Sequence, residues 1–96
     1  MDDHQLLQAL RGVNDPELGI NIVDMGLVYR AVCTPAGIDV ALTMTTPSCP
    51  LGEMLADEAR EVLRRQFPNA PSIQVELVWD PPWSPDRMSE GARQLL

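Results

Sequence analysis

The sequence predicts an α/β (α+β) domain: a small mixed three-stranded sheet with helices packed on one face, in the order helix-strand-strand-helix-strand-helix. Three observations predict it. Apolar residues recur at helical spacing in three stretches, they alternate with polar ones in the stretches between, and each element so marked has a single apolar side that must be covered by another. With 96 residues, 45% of them hydrophobic, the chain suits one compact core and leaves no room for a second, so residues 1–96 form one domain.

The first helix is expected from Asp3 to Arg11, where Leu6, Leu7, Leu10 and then Val13 recur at helical spacing and Gly12 offers a C-terminal stop. Asn14-Asp15-Pro16-Glu17-Leu18-Gly19 is turn chemistry, because Pro16 pushes Asp15 toward extended geometry. A strand follows from Leu27 to Thr34. Pro35-Ala36-Gly37 joins it as a hairpin to a second, in which Ile38, Val40, Leu42 and Met44 face the core and Asp39, Ala41, Thr43 and Thr45 face outward. The second helix runs roughly from Pro50 to Gln66, with Leu51, Leu55, Ala59, Val62 and Leu63 on one stripe and Pro68 ending it. Its acidic residues Glu53, Asp57 and Glu58 come early and its arginines 60, 64 and 65 late, complementing the helix dipole. Ile73, Val75 and Leu77 mark a third strand, which PPWSP ends. A last helix is expected to start at Ser84 with Pro85 in its first turn, burying Met88, Ala92 and Leu95.

Fourteen acidic residues against seven basic ones, all arginine, give a net charge of −7, a field that repels nucleic acid and anionic membrane. No apolar run approaches the ~20 residues of a membrane span, and the N-terminus lacks the pattern of a signal peptide, so the protein is expected in the cytoplasm. No P-loop, dinucleotide glycine motif or GxSxG elbow occurs. Cys33 and Cys49 form no CxxC and have no histidine pair, which leaves each to be judged alone.

Cys49 falls at or beside the start of the second helix, in TTPSCPLGEM. Free backbone N–H groups there stabilise a thiolate and can lower a thiol's pKa below its free value of ~8.5, although Glu53 one turn on opposes this unless it points away. The residues alone equally admit a small side chain packed under the sheet edge. Cys33, in a strand with no helix terminus or basic neighbour, reads as an inert packed residue. Asp15, Glu17 and Asp24 place three carboxylates around one loop; they could ligate iron or move protons, or they could cap local turns. Thr45 and Thr46 put hydroxyls near Cys49 but also suit a strand end. His4 stands alone near the terminus. Trp79 and Trp83 flank a stiff Asp80-Pro81-Pro82 turn, with Trp79 the one expected to close the core.

Across DPELGINIVDMGLVY, TMTTPSCPLGEML and VELVWDPPWSPDRMSEGARQLL, the chain resembles the SufT-like family of iron–sulfur assembly factors, which also contains the PaaD proteins and the eukaryotic cytosolic iron–sulfur targeting subunit. The resemblance spans nearly the whole chain and implies the small domain shared with the C-terminal part of NifU-type scaffolds. The family's reactive cysteine matches Cys49, and its acidic loop matches Asp15 and Glu17, with Asp24 and Gly26 following. Thr45, Thr46 and Pro50 match the residues around the thiol. Met25 stands where the family usually carries leucine. PaaD proteins add a cysteine-bearing C-terminal extension not seen in this sequence, which favours the SufT-like reading over phenylacetate degradation.

The resemblance thus implies an accessory factor that assembles iron–sulfur clusters or transfers them to clients, with Cys49 as a transient ligand of a cluster or iron and Asp15, Glu17, Thr45 and Thr46 around it. The partners implied are an iron–sulfur scaffold and client apoproteins. Clusters commonly use about four thiolates, so one useful thiol per chain calls for an interface, such as a homodimer. It is not expected to be a turnover enzyme. Two other functions remain open from sequence: a thiol enzyme with Cys49 as nucleophile, weakened by the lack of a histidine base, and an adaptor that docks clients through the tryptophan turn.

Overall fold

The computed structural model describes residues 4–15, 19–45 and 51–94. Helix α1 (His4–Leu10) has only seven residues, too few to persist alone, and is held by burying Leu6 and Leu10 against the sheet and the second helix. Strands β1 (Val28–Thr34) and β2 (Gly37–Leu42) form the expected antiparallel hairpin, and β3 (Ile73–Leu77) lies parallel to β2, giving a mixed sheet in the order β1-β2-β3. A parallel neighbour cannot be reached by a tight turn, and the long apolar stripe of α2 (Leu51–Gln66) makes the crossover. Ala31, Val40 and Val75 are in register across the three strands and pack with Leu55, Ala59 and Leu63 of α2. Arg60 ties helix to sheet by donating to the Val75 carbonyl at 2.8 Å.

The opposite face of the sheet is polar. Arg30 donates twice to Asp39 on β2, at 3.1 Å each, and once to Glu76 on β3 at 2.7 Å, and these bonds, those to Asp39 first, hold its guanidinium pKa above the ordinary value. All three side chains are open to solvent, so the network contributes little stability. Where the hairpin meets the start of β3, Ile38 N–H donates to the Ser72 carbonyl at 2.8 Å. Gly37, at φ +139°, permits that approach, since a side chain there would run into Ser72.

Several expectations are corrected. Ala41 and Thr43 are 1% exposed and not outward-facing. The chain beyond β3 returns past this end of the sheet, and Ala41 lines a groove between Tyr29 and Arg30 on one side and Val78, Pro81 and Arg87 on the other. Tyr29 Oη donates to the Pro81 carbonyl at 2.8 Å, and the Arg87 guanidinium stacks 4.7 Å from the Tyr29 ring centroid. The tryptophans exchange roles: Trp79 is 41% exposed, whereas Trp83 packs on the core with its Nε1–H donating to the Met25 carbonyl at 2.7 Å.

The expected last helix is divided into a 3-10 turn (Pro85–Arg87) and a short helix α3 (Glu90–Gln94), because Met88 is extended. Ser84 makes no side-chain cap; Ser89 does, accepting from Ala92 N–H at 3.2 Å, while its own N–H donates to the Asp24 carbonyl at 2.8 Å. Met88 and Ala92 are buried as expected, and Leu95 lies outside the described residues.

Cys33 is exposed and not packed, since β1 runs past the covered part of the sheet before the hairpin. Cys33→Ser is therefore expected to change stability by less than about 0.5 kcal/mol, and the native Cys33 thiol to react readily with a chromogenic disulfide reagent. A urea midpoint for the variant and a thiol titration of the folded protein check both.

Candidate functional site

Asp15 follows α1 in a pinched loop. Its N–H donates to the Ile20 carbonyl at 2.8 Å, its carbonyl accepts from Gly19 N–H at 2.8 Å, and Ile22 N–H reaches the Val13 carbonyl at 2.9 Å. Asn14 and Asn21 pair as an isolated bridge, so the strands of the loop close below its tip. Asp15 is 2% exposed, one of two buried polar side chains among the described residues. The fold thus takes a carboxylate out of solvent within a loop whose backbone is fixed on both sides.

Asp24 has a different task. It accepts from Arg11 Nη1 at 3.1 Å and from Asn21 Nδ2 at 2.8 Å, while its N–H donates to Asn21 Oδ1 at 2.9 Å. Its carboxylate fastens the loop to Arg11 just past α1 and caps the local turn, as the turn-capping alternative describes.

From the loop, a relay of backbone bonds leads to the end of the central strand. Leu27 N–H donates to the Ile22 carbonyl at 3.0 Å and Thr43 N–H to the Leu27 carbonyl at 2.8 Å. The turn between them depends on Gly26, at φ +76°, where an added Cβ would collide with the Arg87 backbone. Thr45 is half-buried just past β2. The chain is next described at Leu51, where α2 begins; Gly52 is buried there, and a Cβ on it would come within 3.1 Å of the Met44 and Leu77 side chains. The absence of a side chain lets the first turn of α2 sit directly on the ends of β2 and β3. Glu53 is exposed.

Among the five expected site residues, Asp15 and Thr45 are therefore placed, and the backbone relay connects their two segments. Glu17, Thr46 and Cys49, together with Pro50, lie outside the described residues. Among the described residues no group of three or more His, Cys, Asp and Glu side chains is arranged to hold a metal ion, and no helix is long and apolar enough to cross a membrane.

Sequence reasoning passed over Thr43. It is 1% exposed, and its Oγ1 has no hydrogen-bond partner among the described residues. Burying a hydroxyl in that state costs about 1–3 kcal/mol. Its place in the strand alternation marked it as outward, but β2 ends at Leu42, so that alternation does not reach it. Gly52 was missed because its value lies in what packs against it. Met54 and Trp79, the exposed large hydrophobic side chains among the described residues, lie in the first turn of α2 and just past β3, at this same end of the sheet.

Residues 3–77 match the family described as Iron-sulfur cluster assembly protein. The chain is 38% identical over 92 residues to the Fe-S protein maturation auxiliary factor YitW of Bacillus subtilis, covering 95% of this chain and 89% of that protein. It is 42% identical over 85 residues to the Fe-S protein maturation auxiliary factor SufT of Staphylococcus aureus, covering 88% and 96%. The crystal structure of a Domain of Unknown Function from Bacillus anthracis superposes with a TM-score of 0.88 at 37% identity, over 94% of this chain and 86% of that one.

Proposed function

The chain belongs to the iron–sulfur cluster assembly protein family, and from that premise we propose that it serves iron–sulfur protein maturation by holding a cluster or iron transiently through Cys49. The cluster is cargo, passed between a scaffold and client apoproteins in the cytoplasm, and the chain itself turns nothing over. The observation that supports the reading is the backbone relay that joins the buried Asp15 loop to the end of β2. In sequence Cys49 follows Thr45 there and precedes the first turn of α2, which Gly52 seats on the ends of β2 and β3. Asp15 and Glu17 are proposed to shape the pocket, with Thr45 and Thr46 lining it. Glu53, one turn on from Cys49, is exposed, so solvent and salt screen its charge.

Cys33 is not proposed as a second ligand. It was expected to be buried and is exposed, and it pairs with Ile38 at the hairpin end of β2, the end opposite the one that leads on to Thr45. A cluster held by Cys49 therefore sits between two subunits, or between one subunit and a partner, with carboxylate or a small thiol filling other positions. Such an under-ligated site releases its cargo easily, as transfer requires.

The acidic loop gives the test. Asp15→Asn with Glu17→Gln is expected to impair maturation of an iron–sulfur client at least several-fold in a strain lacking the factor, with an unchanged circular dichroism spectrum, because both substitutions keep shape and remove charge. Normal client activity with the double variant would return these residues to turn formation.

A further inference from the structure

We propose that the groove over β1 and β2 is a binding site for a zwitterionic ligand of the α-amino-acid class with a large apolar side chain, its carboxylate taken by Arg87 and its ammonium by Asp80. The groove has a volume of about 650 Å³, in the range of small-molecule sites, and Val28, Ala41 and Val78 give it an apolar lining. Its charged groups decide the occupant. Arg30, Asp80 and Arg87 line it, and Arg30 is already committed to Asp39 and Glu76. That leaves one cation and one anion available.

Arg87 has no carboxylate partner among the described residues, although the chain holds fourteen acidic side chains and Arg11, Arg60 and Arg65 each have one. Arg64 and Arg93 are unpaired as well, but they stand on α2 and α3 and do not line the groove. Arg87 is held in place all the same. Its guanidinium lies 4.7 Å from the Tyr29 ring centroid, and Tyr29 is fixed by its bond to the Pro81 carbonyl at 2.8 Å. Stacking uses the face of a guanidinium and leaves its N–H edge free, the edge that pairs bidentately with a carboxylate. A simple anion would meet Asp80 and the field of a chain with net charge −7, and a simple cation would meet Arg87. A ligand that carries both charges meets neither penalty, and its apolar body covers the lining between them. Neither Cys49 nor the acidic loop enters this site, so it stands or falls independently of the cluster reading.

An NMR titration of the full chain with L-phenylalanine, L-phenylalaninamide and N-acetyl-L-phenylalanine tests the proposal, with Asp80→Asn and Arg87→Met as variants; methionine keeps an apolar stem over Tyr29 and removes the charge. L-Phenylalanine is expected to shift the amide signals of Tyr29, Ala41, Val78 and Arg87 saturably at millimolar concentration. The amide and the acetyl form, each lacking one charge, are expected to bind at least several-fold more weakly. Arg87→Met is expected to weaken L-phenylalanine several-fold without changing the amide, and Asp80→Asn to weaken it without changing the acetyl form. Undiminished binding of either blocked form, shifts confined to residues outside the groove, or no saturable shift at all would overturn the proposal. The blocked ligands are compared on native protein, so they decide it even where a variant fails to fold.

Discussion

Gly26→Ala is expected to destabilise the domain by about 3 kcal/mol or more, a large share of the margin available to so small a protein. Two effects add. Alanine at φ +76° carries the strain of left-handed backbone, about 1 kcal/mol, and its Cβ would occupy the space of the Arg87 backbone. Relief requires the returning segment to lift, which endangers the Trp83 to Met25 bond, the Ser89 to Asp24 bond and the burial of Met88 and Ala92. Gly19→Ala is the control. Gly19 has a similar φ of +70° but, among the described residues, nothing within 4 Å of an added Cβ, so the backbone strain is the cost expected there. Urea unfolding followed by tryptophan fluorescence measures both, and equal costs at the two positions would show that the contact at Arg87 is unimportant.

Cys49→Ser is expected to lower client maturation to the level of cells lacking the factor while changing unfolding free energy by less than about 1 kcal/mol. The separation matters more than the loss, since a variant that fails to fold also fails to act. Cys33→Ser, far along the sheet, is expected to complement fully. Because Cys33 is exposed, thiol labelling alone does not distinguish the two cysteines, and function must be read for each variant. Full complementation by Cys49→Ser would favour an adaptor without thiol chemistry, for which the exposed Trp79 and Met54 would supply the contact.

The hairpin, the crossover helix and the parallel third strand were legible because each presents one apolar face at a regular period. The errors gather where a distant segment supplies the environment. Ala41 looks outward in the period of β2 and is interior where the chain after β3 returns past it, while Thr43 lies beyond the end of the strand, where that period no longer holds. Trp79 and Trp83 are alike in sequence, and only the Met25 carbonyl distinguishes the one that packs. Ser84 and Ser89 are both reasonable caps; the Asp24 carbonyl favours the second by engaging its N–H, and the expected single helix divides there. In the site, the turn chemistry around Asp15 was plain, but its burial depends on the whole loop closing through residues 13 to 22.

Anaerobic reconstitution with iron and sulfide, followed by size-exclusion chromatography with absorbance and metal analysis, addresses the interface-held cargo most directly. Native protein is expected to carry iron and sulfide in a dimer fraction, to lose them readily, and to lose them altogether in Cys49→Ser. A monomer retaining stoichiometric iron and sulfide, or undiminished cluster absorbance in Cys49→Ser, would contradict it.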